Sequence, residues 1–320
     1  MKGFAKSAAL FVAIGLLLYA GIYYAAERLL YRTGDTNSFF KIAVTDRKSF
    51  DWVILGASHA MPLDFQDFNN VMEDATGKRI LNLAAPGAGP LYNRLVLEQF
   101  FGEHHAANVL YVADSFAFYG REWNEDRLGD AKLLSRTPLD RDLAGRFVTY
   151  ALRGDLHASA LLDYVTGFSK VNNRDRFKKD IWEGEATFDR VYRPSATATA
   201  KRIAYLYPKG APHPLTIERY LAVLDSLIIT AQENGASVTV LKLPLPAAFR
   251  QKLPSEAELD RKLAARLSAR GVPLHDFSSA MDEPRFYLDT DHLNRAGATE
   301  FLERHLKTIL TRSRLDARGF

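Results

Sequence analysis

The chain has 320 residues, 47% of them hydrophobic, which is enough apolar side chain for one large folded domain or two small ones and excludes wholesale disorder. Its 42 Lys and Arg against 38 Asp and Glu leave a net charge of only +4, and no basic stripe interleaved with aromatics stands out, so nucleic acid is not an expected partner. Cysteine is absent, which removes disulfides, thiolate metal sites and a cysteine nucleophile without fixing the compartment.

Residues 8–26 carry no charge, and a helix needs about 20 such residues to cross a bilayer. Lys2 and Lys6 precede them, and Glu27, Arg28 and Arg32 follow. With the free amine, that balance gives mild weight to a cytoplasmic N-terminus. A cleaved signal peptide is the rival reading. Its cleavage site needs small residues, however, and Tyr23 and Tyr24 stand there. Tyr19, Tyr23 and Tyr24 fit instead an aromatic belt at a membrane interface. Residues 1–30 are therefore expected to form an uncleaved single-pass anchor, with the rest of the chain outside the cytoplasmic membrane, periplasmic or extracellular.

From Asp51 onward, short apolar runs alternate with amphipathic stretches, the pattern of an α/β domain. Strands are predicted at 52–55, 79–83, 108–113 and 237–243, with a weaker one at 273–277. Most are continuously apolar, as strands covered on both faces should be. The first ends at Gly56-Ala57-Ser58-His59, which places a serine at the carboxyl end of a strand, where open α/β sheets bind ligands. Ser58 could equally cap the following helix. Its neighbour His59 diverges from it in direction, which makes His59 a poor base but a candidate pocket wall.

The second strand leads into Asn82-Leu83-Ala84-Ala85-Pro86-Gly87-Ala88-Gly89. Small residues and two glycines suit a loop whose N–H groups face a ligand, or an ordinary tight connection. Pro90 opens a helix with Leu91, Leu95 and Phe101 on its buried side. From 120 to 214 the alternation lapses into charged and low-complexity sequence, read as an insertion over the sheet's carboxyl edge. A helix over 216–234 follows, with Ile217, Tyr220, Leu221, Leu224, Leu227 and Ile228 as its stripe and Gly235 at its end. Asp289-Thr290-Asp291-His292 then precedes a last helix capped by Asn294. Asp289 and His292 are spaced for a carboxylate to hold one ring nitrogen while the other reaches outward. Asp291 could instead cap a surface helix. A metal site from Asp289, Asp291 and His292 lacks further clustered ligands, so neither metal nor cofactor is expected. Residues 313–320 read as a charged tail.

The order Gly-x-Ser after strand one, Asn-x-Ala-x-x-Gly after strand two and Asp-x-x-His before the last helix resembles the SGNH (GDSL-like) hydrolase superfamily, over about residues 51–310 of a domain expected at 45–312. The resemblance implies a flavodoxin-like three-layer α/β/α sandwich. It implies Ser58 as nucleophile, His292 as base, Asp289 as its orienter, and the N–H groups of Ser58 and Gly87 in the oxyanion hole. His59, Asn82, Asp114 and Ser115 would border the pocket. Two departures stand out. Gly-Asp-Ser appears as Gly56-Ala57-Ser58, and the third block, normally Gly-x-Asn-Asp, appears as Ala113-Asp114-Ser115-Phe116. There an ionised Asp114 would oppose a developing oxyanion.

With the anchor, these departures are similar to membrane-tethered proteins of alginate O-acetylation and D-alanyl transfer. That implies a serine acyltransferase or esterase acting on envelope polysaccharide beside a multi-span membrane acyltransferase. A non-catalytic glycan-binding or scaffold subunit of such a complex is the alternative.

Overall fold

The computed structural model describes residues 2–34, 37–179 and 181–311. All five expected apolar runs form strands: β1 (Ser49–Leu55), β2 (Ile80–Asn82), β3 (His105–Val112), β4 (Ser237–Lys242) and β5 (Leu274–Asp276). They make one parallel sheet in the order β2-β1-β3-β4-β5. This is the flavodoxin-like order, with its topological switch between β1 and β3. In register, Ile54 of β1 lies between Asn82 of β2 and Leu110 of β3.

Because side chains alternate along a strand, each face receives its own core. Trp52, Ile54, Leu110, Val112 and Leu241 share one buried cluster with Phe68 and Met72 of the helix Phe68–Thr76 and with Phe301, Leu302 and Leu306 near the C-terminus. The intervening Val53, Leu55, Val109, Tyr111 and Val240 are equally buried. The helices Pro90–Glu103 and Pro214–Glu233 pack on each other, the first also against β3 and the second against β4. The result is the three-layer α/β/α sandwich. The stripe from Ile217 to Ile228 is buried as expected, and Gly235, at φ +77°, ends that helix. On the helix from Pro90, Phe100 rather than Phe101 is the fully buried ring.

The chain divides into two compact units. Thr45–Arg127 with Trp182–Phe320 holds the sheet, and Met1–Val44 with Leu128–Ile181 is helical. The stretch 120–214 is thus shared between them. Its later part belongs to the sheet unit, where Phe188 is buried in the main cluster and packs edge-on against Phe65 and Phe68. In the helical unit, Lys2–Thr33 is one continuous helix with a mean hydropathy of 2.0 over its most apolar window, long enough to cross a membrane. The tail at 313–320 lies outside the described residues.

Candidate active site

The site begins where β1 stops. Gly56 takes φ +153°, and a Cβ there would come within 2.9 Å of the Val112 Cβ and 3.1 Å of the Val112 carbonyl oxygen, so only glycine fits the turn. The chain then enters the short 3-10 helix Ser58–Asp64, which sets Ser58 beyond the carboxyl end of the sheet. Asn93, fully buried on the helix Pro90–Glu103, fixes this turn. Its Oδ1 accepts from the Gly56 N–H at 3.0 Å, and its Nδ2 donates to the carbonyls of Ala88 at 3.1 Å and Gly89 at 3.0 Å. One side chain therefore ties the loop after β1 to the loop after β2. Gly87 lies in the left-handed region at φ +64° beside the Trp123 ring. Neither the Ser58 nor the Gly87 backbone N–H meets an acceptor among the described residues.

From the far end of the sequence, a tight loop delivers His292. The Leu288 N–H donates to the His292 carbonyl at 3.0 Å, and Asn294 caps the helix Arg295–Phe301 by accepting from the Gly297 N–H at 2.9 Å. His292 Nε2 lies 2.9 Å from Ser58 Oγ, and its Nδ1 lies 2.9 and 3.0 Å from the two Asp289 oxygens. Asp289 Oδ1 also accepts the backbone N–H groups of Asp291 at 3.0 Å and His292 at 2.9 Å, which lock the carboxylate against its own loop. Burial works against the Asp289 charge, yet the adjacent His292 holds its pKa below the usual range. With Nδ1–H donated to this carboxylate, Nε2 is the acceptor of the Ser58 hydroxyl, the tautomer that a general base requires.

Behind this triad lies a second, buried set of charges. His59 Nδ1 is 2.6 Å from Asp114 Oδ1 and its Nε2 is 2.9 Å from Asp291 Oδ2. A neutral imidazole has one N–H, so two ionised carboxylates call for the doubly protonated ring. Burial opposes that charge, but Asp114 and then Asp291 more than offset it and push the His59 pKa up to about 10. Burial likewise opposes ionised Asp291, while His292, His59 and Arg202 hold its pKa well below the usual range. Arg202 Nε reaches the Asp291 oxygens at 2.8 and 3.1 Å, and the Thr290 hydroxyl donates to Oδ1 at 2.5 Å. The Arg202 Nη2 also lies 3.5 Å from His292 Nε2. The His59 and Trp182 rings stand 4.9 Å from the His292 ring, fixing it from two directions.

The remaining expected residues sort by their partners. Asp114 and Ser115 line a cavity with His59, Phe116, Tyr207 and Lys242, and its walls include neither Ser58 nor His292. Asp114 gives one oxygen to His59, and Ser115 Oγ is 2.7 Å from the Tyr207 hydroxyl. Asn82 is a correction: its Nδ2 donates to the Ala60 carbonyl at 2.9 Å and its Oδ1 accepts the Ala84 N–H at 2.9 Å. Both ends of that buried amide brace the turns around the site instead of facing a pocket. Ligand atoms of His59, Asp291 and His292 lie within 4.8 Å of one another. They suit a metal poorly, because both His59 nitrogens point at carboxylates and His292 Nε2 at a hydroxyl.

Sequence reasoning missed Arg202, Trp182 and Asn93. Arg202 and Trp182 fall in the stretch without periodic signal, whereas Asn93 left a trace as a lone amide, beside Arg94, in the otherwise apolar stretch 91–97.

A scan of family models and a search of curated proteins found no match to the sequence. Two solved structures from Bacteroides are similar to the chain. One, from Bacteroides fragilis and provisionally described as an acylhydrolase, is 13% identical, with 86% of this chain and 95% of that one covered at a TM-score of 0.44. The other, a GDSL-like lipase from Bacteroides thetaiotaomicron, is 10% identical, with 84% and 93% covered at a TM-score of 0.44. Both likenesses are remote, and the strand order and side-chain geometry described above stand without them.

Proposed function

We propose that the chain is a membrane-anchored serine acyltransferase or esterase of SGNH type, acting outside the cytoplasmic membrane on envelope polysaccharide. One observation carries this reading: the hydrogen-bonded chain Ser58–His292–Asp289, drawn from opposite ends of the sequence, with Ser58 Oγ 2.9 Å from His292 Nε2. Acyl transfer needs such a hydroxyl, base and orienter.

In this reading His292 takes the Ser58 proton as Oγ attacks the acyl carbonyl, and Asp289 stabilises the imidazolium. The free N–H groups of Ser58 and Gly87 receive the oxyanion, each contributing about 3 kcal/mol to the barrier reduction. His292 returns the proton to the leaving group, and the acyl group rests on Ser58. A glycan hydroxyl, deprotonated by His292, then takes it; water in its place makes the same site an esterase. Asp114, standing where SGNH enzymes carry an asparagine donor, has its charge matched by His59 and so repels the oxyanion less than a bare carboxylate would. The apolar helix Lys2–Thr33 supports the anchored location, and a multi-span acyltransferase would supply the acyl group.

The test is to incubate the full chain with an activated acetyl ester and a polysaccharide bearing free hydroxyls. Acetyl esters on the glycan, or free acetate, are expected with the native chain and absent with Ser58→Ala. Native turnover by Ser58→Ala would remove Ser58 from the mechanism.

A further inference from the structure

The N-terminal helix is gripped by its own unit along its second half. The Tyr19 hydroxyl donates to the Thr166 carbonyl at 3.1 Å. The Tyr23 ring lies so close to Gly167 that any side chain there would collide with it. Glu27 pairs with buried Lys170 and accepts from the Leu139 N–H at 2.8 Å. Tyr19 precedes Ala26, the last residue of the uncharged run, by about 10 Å at a rise of 1.5 Å per residue. The turn 166–168 therefore stands level with apolar helix, below the point where charge begins.

The outward side of that turn is itself apolar. Leu162 is 64%, Val165 50% and Phe168 62% exposed, and Leu162 and Val165 share a face of the helix Ala158–Thr166 at a spacing of three. Charge follows the same division. Beyond the uncharged run, segments 27–44 and 128–181 hold 13 Lys and Arg against 9 Asp and Glu, so this part of the helical unit alone matches the net charge of +4 of the whole chain. Apolar surface continuous with a membrane-length helix, in a cationic unit, fits an anionic lipid surface.

We infer that Leu162, Val165 and Phe168 embed in the headgroup and upper acyl region of an anionic phospholipid bilayer beside the N-terminal helix. This seating rests on the reading of that helix as an anchor. It would hold the helical unit against the membrane instead of leaving it on a free tether.

The absence of cysteine allows a direct test. Val165→Cys and Phe168→Cys are spin-labelled in the full chain, in nanodiscs of phosphatidylcholine and phosphatidylglycerol, with Leu16→Cys as the bilayer standard and Arg174→Cys as the water standard. The ratio of oxygen to nickel-chelate collisions at 165 and 168 is expected to exceed that at 174 at least threefold and to fall below that at 16. Values at 165 and 168 equal to that at 174, with 16 in the bilayer, would overturn the seating and leave the anchor standing. A water-like value at 16 would overturn both. Strong spin–spin broadening at 165 and 168 but not at 16 would replace lipid by a second copy of the chain. In phosphatidylcholine alone both labels are expected to move toward the water value; unchanged values would refute the anionic component.

Discussion

Replacing His59 by leucine probes the charge network most sharply. The change leaves Asp114 without its imidazolium and takes His59 from Asp291, which keeps Arg202 and the Thr290 hydroxyl, in a region where His59 is 4% exposed and Asp291 1%. Breaking a buried pair by removing one partner costs roughly 3–5 kcal/mol. The His59 pKa gives a similar figure: its climb from 6.5 to about 10 corresponds to about 5 kcal/mol as an upper bound. A raised pKa in the folded state means that the proton stabilises the fold. That contribution is complete below pH 6.5 and disappears as pH rises through 10, with a slope near 1.4 kcal/mol per pH unit between them. All three tryptophans, Trp52, Trp123 and Trp182, lie in the sheet unit, so urea unfolding followed by their fluorescence reports on this unit alone. His59→Leu should lower stability by about 3–5 kcal/mol at pH 7 and flatten the fall between pH 7 and 10. The double variant His59→Leu, Asp114→Leu should recover part of the loss, since removing both members of a buried pair is far cheaper than removing one. A single variant within about 1 kcal/mol of native, or one with an unchanged pH slope, would refute the buried imidazolium.

Three further outcomes follow from the same geometry. Asp289→Asn should keep the loop's shape yet cut kcat by roughly 10³–10⁴, because the amide no longer fixes the His292 tautomer; esterase kinetics within tenfold of native would deny Asp289 that role. Asn93→Ala should untie the loops after β1 and β2 and lower kcat about tenfold to a hundredfold with little change in KM, since it misplaces donors used in the transition state; a pure KM effect would point to substrate binding instead. Gly56→Ala forces a side chain into a positive φ against Val112 and should cost about 2–4 kcal/mol in urea unfolding, whereas a cost below about 0.5 kcal/mol would show that the turn yields easily.

The strands were legible because β1 and β3 are covered on both faces and so carry the unbroken apolar runs 52–55 and 109–113, and even β5, three residues long, was found. Ser58, Asp289 and His292 stood out because each interrupts a strand end or helix start with a residue type that chemistry needs. What lay beyond reach was pairing across sequence distance. His59 looked like a poor partner because it adjoins Ser58, but the 3-10 turn sends its ring back to Asp114 and Asp291. Asp291 looked like a cap, and nothing local says that Arg202, 89 positions away, holds it. Asn82 misled in the other direction, because a polar residue at a strand end serves a loop's backbone as readily as a ligand.

The central claim is that Ser58 is an activated nucleophile. A fluorophosphonate probe applied to the full chain at neutral pH, with the modified residue located by mass spectrometry, tests it most directly. A stoichiometric adduct is expected on Ser58, absent in Ser58→Ala and formed at least a hundredfold more slowly in His292→Ala. A folded native chain left unlabelled, or an adduct that persists in Ser58→Ala, would contradict it.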